Sequence, residues 1–134
     1  MNITSFEDLL RVAKAQPEPQ RLLFVFAGAE LPDDASDAQR EQFAAGEGGE
    51  LAPLMCVDKS LTELTYFDEL KAEAARAGPP WAIVFATALS GRAGQTPTSA
   101  DAAAPLQRMV DLIKAGQLAG MLPFNRDGIP VNLA

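Results

Sequence analysis

Two stretches of this chain are apolar almost without interruption: residues 22–29 read Leu-Leu-Phe-Val-Phe-Ala-Gly-Ala, and residues 81–89 read Trp-Ala-Ile-Val-Phe-Ala-Thr-Ala-Leu. A strand with one wet face alternates apolar and polar residues, because successive side chains point to opposite sides of the sheet. Runs that do not alternate need cover on both faces, so each is expected to be an inner strand between layers. Neither approaches the roughly 20 residues needed to cross a bilayer, which points away from a membrane protein.

The segments around these runs read as helices and weaker strands. Thr4 and Glu7 have capping-box spacing, and Phe6, Leu9, Leu10 and Ala13 recur at helical intervals until Pro17 and Pro19. A polar stretch from Pro32 carries a short helix over residues 36–45 and ends in Gly46, Gly48 and Gly49. Residues 51–57 read as a strand that Pro53 pushes towards an edge, since proline cannot donate to the ladder. Ser60 and Glu63 form a second capping box ahead of Leu61, Leu64, Phe67, Leu70 and Ala74, with Gly78 and Pro79 as the stop. Residues 90–100 have no periodicity and are rich in turn formers, so they predict a long loop. The next helix has Pro105 in its first turn, Leu106, Met109, Val110 and Ile113 on one face, and Gly116 as its stop. Residues 118–124 and 129–133 flank Asn-Arg-Asp-Gly in a hairpin pattern.

Strands alternating with helices point to an α/β fold: one domain, a mixed and mainly parallel sheet, helices packed on it, and a C-terminal β-hairpin. An α+β arrangement with all helices on one face is the alternative.

The chain has no histidine and one cysteine, Cys56, among its 134 residues. Histidine is the one side chain that titrates unperturbed between about pH 5 and 8, so general acid–base work would fall to retuned carboxylates, lysines or the thiol. Histidine-led triads are excluded, and a lone thiol makes neither a zinc finger nor an internal disulfide. Eleven Lys and Arg against 18 Asp and Glu give a net charge of −7, which repels phosphate backbones and anionic lipid. Nucleic acid and membranes are therefore not expected partners. The chain's opening residues lack a basic stretch followed by an apolar one, which makes the cytoplasm the expected location.

The first candidate site is the loop that follows the second apolar run. Ligands of open α/β sheets bind beyond the carboxyl ends of inner strands; Ser90 offers a hydroxyl, Gly91 and Gly94 let backbone amides approach an anion, and Arg92 can clamp a carboxylate or phosphate. The second is Cys56, a reactive thiol if Lys59 or the start of the following helix lowers its pKa, and otherwise a small buried hydrophobe. Asp33, Asp34 and Asp37 match the Asp-Asp-x-x-Asp spacing of magnesium sites, but acidic residues at the start of a short helix explain them. No pattern here calls for a metal or other cofactor.

The phrases Gln-Arg-Leu-Leu-Phe-Val-Phe-Ala near residue 20, Leu-Met-Cys-Val-Asp-Lys near 54 and Gly-Pro-Pro-Trp-Ala-Ile-Val-Phe near 78 resemble a small family of uncharacterised proteobacterial proteins. Members are sometimes labelled ribonucleotide reductase subunit alpha, an activity that uses several cysteines where this chain has only Cys56. The resemblance implies a bacterial cytoplasmic protein with no assigned reaction. The resulting expectation is a non-catalytic binding or accessory module that recognises a protein partner or its own copy, with sheet-edge residues around Leu51 or the terminal hairpin as contact points. The alternative is a protein or enzyme that takes an anionic metabolite at residues 90–98.

Overall fold

The computed structural model describes residues 3–30, 34–44 and 50–132. Along the chain run α1 (Phe6–Lys14), β1 (Gln20–Glu30), α2 (Asp37–Ala44), β2 (Glu50–Ser60), α3 (Phe67–Ala77), β3 (Ile83–Ser90), α4 (Ser99–Lys114) and β4 (Leu122–Phe124). The strands form one sheet in the order β2-β1-β3-β4. Every neighbouring pair is antiparallel.

That sheet corrects the expected mainly parallel one and puts the protein in the α+β class. The physical reason lies in β1. β2 and β3 are both antiparallel to β1, so they run in the same direction, and α3 connects them as a helical crossover should. However, β1 sits between them, which makes the unit a split βαβ rather than a neighbouring parallel pair. Alternation of strands and helices tells neither which strands share hydrogen bonds nor which share a direction, since β1 and β2 are antiparallel across α2, and β3 and β4 across α4.

Residues 22–27 of β1 are buried in succession, as a strand covered on both sides must be. Leu22, Phe24 and Phe26 face a core built with α1 and α3, whereas Leu23, Val25 and Ala27 face one built with α4. Helices therefore lie on both faces, unlike the one-faced alternative. The α1 side is held by aromatic rings: Phe6 lies 5.0 to 5.7 Å, centroid to centroid, from Phe67, Phe124 and Phe24. Such contacts add to the burial of large rings.

The caps differ from the expected ones by local competition. Helix α1 is capped by Ser5, whose hydroxyl accepts from the Asp8 amide, while Thr4 donates its amide and hydroxyl to the Asp8 carboxylate. The amide of Ser60 does donate to Glu63, at 2.9 Å, but the bond closes a turn after β2. Helix α3 starts at Phe67, where Glu69 accepts from the amides of Thr65 and Tyr66. Helix α4 starts at Ser99, so Pro105 falls in its second turn instead of its first. The terminal hairpin is short: Asn125 donates to the Ile129 carbonyl, and Val131 to that of Pro123. Gly46, Gly48, Gly49 and Asp33 lie outside the described residues.

Candidate functional site

The residues after β3 form a small hairpin. The amide of Arg92 donates to the Gln95 carbonyl and the Gln95 amide returns the bond, at 3.2 and 2.9 Å. Between them Ala93 and Gly94 have φ of +52° and +76°. Two successive residues of positive φ inside such a pair are the signature of a type I′ turn. Gly91 is required for a different reason, since a Cβ there would overlap the Gln95 carbonyl oxygen.

This hairpin is tied to the residues leading into β1 at several points. Gly91 donates to the Pro19 carbonyl at 2.8 Å, Gly94 donates to the Glu18 carboxylate at 2.9 Å, and the buried amide of Gln20 donates to the Ser90 hydroxyl at 2.7 Å. The amides of Gly91, Arg92 and Gly94 are therefore all committed within the protein, and a carboxylate already occupies the place beside Gly94. What Ser90 and Arg92 keep for a ligand is their side chains. Among the described residues the Arg92 guanidinium is exposed with no side-chain partner, and Ser90 keeps its own hydroxyl hydrogen.

Behind the hairpin sits a charged clasp that the sequence reading did not find. Arg21 Nε donates to Asp58 Oδ2 at 2.6 Å; its other nitrogens reach the Ser99 hydroxyl at 2.8 Å and the Pro97 carbonyl at 3.4 Å; and Ser99 donates to the same Asp58 oxygen at 2.7 Å. Burial pushes the Asp58 carboxyl up, but the Ser99 hydroxyl and the Arg21 guanidinium outweigh it and hold the pKa below its ordinary value. The clasp joins β1, β2 and the start of α4. Arg21 and Ser99 are 78 positions apart in sequence, so no motif could announce them.

Ser90, Gly91 and Arg92 line one open cleft of about 440 Å³ together with Thr96, Thr98 and Asp101. Gly94 is at the turn tip, outside that lining. The amide and then the hydroxyl of Thr98 hold the Asp101 carboxyl below its usual pKa. One cationic and one anionic side chain thus face the same cleft.

Cys56 lies elsewhere, exposed on β2, the long edge strand. Neither feature that would lower its pKa is in place: Lys59 is 2.6 Å from Glu73, and the next helix starts eleven residues later at Phe67. Burial pushes the thiol's pKa up. Cys56 itself lines the second cleft, about 330 Å³ between β2 and α3, with Phe26, Met55, Val57, Leu70, Ala74 and Ala77 as its apolar walls and Glu73 as a charged one. A register shift opposite Phe26 and Ala27 leaves Leu54 unpaired next to Pro53. Residues 55–60 beyond it pair regularly with β1, and among the described residues no strand covers their other edge.

No family model, curated protein or solved structure matches this chain. Among the described residues no three histidine, cysteine or acidic side chains converge as a metal site would require, and no helix is long and apolar enough to cross a membrane. Asp34 and Asp37 are exposed at the start of α2.

Proposed function

We propose that this chain is a non-catalytic, cytoplasmic binding module that takes an extended segment of a partner protein along β2. The observation that carries this reading is the juxtaposition of an open strand edge over residues 55–60 with the apolar groove between β2 and α3. A strand added to such an edge gains main-chain hydrogen bonds, and alternate side chains enter the neighbouring groove to set specificity. Pro53 and the unpaired Leu54 blunt the other half of β2, as edges are blunted against indiscriminate pairing. They leave a stretch that accepts a short peptide more readily than a second full-length β2. The net charge of −7 favours a partner segment whose apolar residues are flanked by Lys or Arg.

Selection from a random peptide display library tests this. Enriched peptides should alternate apolar residues between basic ones, and should lose binding to an Ala77→Trp variant that fills the groove. They should keep binding to Gln107→Trp, an exposed position on α4. Enrichment of nothing, or of peptides indifferent to Ala77→Trp, would contradict the reading. Mass spectrometry that finds a stable dimer of the chain alone would replace the partner by a second copy.

A further inference from the structure

We propose that the cleft beside the Arg92 hairpin is a binding site for a free α-amino acid, recognised as a zwitterion. This site is separate from the β2 groove, and neither depends on the other.

The cleft is defined first by what it lacks. Backbone amides of Gly91, Arg92 and Gly94 are consumed by Pro19, Gln95 and Glu18, so these three offer no nest for a purely anionic group. A phosphate or dicarboxylate would also meet Asp101, whose carboxyl stays ionised in the same cleft. The available groups instead form a complementary set. Arg92 has a guanidinium without a side-chain partner among the described residues, and Ser90 holds a hydroxyl hydrogen ready to donate because its oxygen already accepts from Gln20. Both suit a carboxylate. Asp101 supplies the opposite charge for an ammonium, and Leu89 with Pro97 provides an apolar wall for a side chain.

These groups are also held still from behind. Gln20, Glu18 and the Pro19 carbonyl fix the hairpin from one side, and the Arg21–Asp58–Ser99 clasp fixes residues 97–99 from the other. A connector that only spans two elements needs no such support, whereas a binding constellation is precise only when the residues behind it are themselves locked. The cleft's size, about 440 Å³, falls within the range of about 300–1,000 Å³ typical of small-molecule sites.

Thermal unfolding of the full chain with each of the common amino acids, their N-acetyl forms and their amides tests the assignment. At ten times its Kd, a bound amino acid should raise Tm by about 3–6 °C. N-acetylation removes the ammonium and amidation the carboxylate, so both derivatives should lose the rise. Arg92→Ala and Asp101→Asn should each weaken binding at least tenfold; asparagine keeps the acceptor that caps α4. The proposal is overturned if no free amino acid raises Tm, if acetylated forms bind as well as free ones, or if Asp101→Asn tightens binding. Neither variant should change peptide binding at β2, so the two readings fail separately.

Discussion

At Ala93 the chain accepts a backbone conformation that an L side chain resists, and this small strain marks where the sequence was harder to read than the structure. Left-handed φ costs a non-glycine residue about 1–2 kcal/mol. Asn-Gly is the preferred pair for a type I′ turn. Ala93→Asn should therefore raise stability by about 0.5–1 kcal/mol in urea titrations, while Gly91→Ala, pressed against the Gln95 carbonyl, should lower it by more than about 1 kcal/mol. From sequence, residues 90–100 offered only turn formers and no period; alanine in a glycine's role hid the hairpin. Cys56 was also legible only in part. Its place on a strand near the edge could be read from Pro53, but its exposure depended on β2 having no outer neighbour. With its pKa raised, the thiol should react with iodoacetamide at pH 7 no faster than a free model thiol; an acceleration of tenfold or more would restore it as a reactive site.

Among the elements, those with strong patterns were readable and those set by long-range partners were not. The unbroken apolar runs of β1 and β3 announced two-sided burial, and both strands are inner ones, but β3 is buried in succession only over Val84, Phe85 and Ala86 and alternates beyond them. The stripe of Leu70 and Ala74 placed α3, but its start was displaced from Ser60 to Phe67 because β2 extends to Ser60 to pair with Arg21. Arg21 itself carries the clearest missed signal. A charged residue at the head of an apolar run needs a partner when the strand becomes central, and Asp58 on the neighbouring strand supplies it, with side-chain exposures of 12% and 19%. Arg21→Met would leave Asp58 with Ser99 alone and should cost about 1–3 kcal/mol in urea titrations. It should also loosen residues 97–99, and with them the amino-acid cleft, so ligand affinity should fall although Arg21 does not line the cleft. An Arg21→Met variant as stable as the original, with unchanged affinity, would show that the clasp supports neither the fold nor the cleft.

For the molecule as a whole, acidic groups dominate how stability answers to pH. The carboxyls of Asp8, Asp58, Glu63, Glu69 and Asp101 all have lowered pKa values in the folded protein. A depressed folded pKa means stability that is complete above the unfolded value and is lost as pH falls through the folded one. For Asp8, held at about 2 by the Thr4 hydroxyl and amide, that window runs from about pH 4 down to about pH 2. Chemical denaturation should thus show stability falling across this range, and a flat profile would contradict the capping geometry. Topology was the feature least accessible to sequence at this scale, because placing β1 between β2 and β3 is decided by pairing between residues distant along the chain, such as Phe24 with both Val57 and Ala86. That placement leaves β2 at an edge, and on it the functional reading rests. Backbone amide exchange of the protein, free and with a display-selected peptide, tests it most directly. The reading predicts new protection in residues 55–60 together with the facing turn of α3 at Leu70, Ala74 and Ala77. Protection confined to residues 90–101, with β2 unchanged, would contradict it.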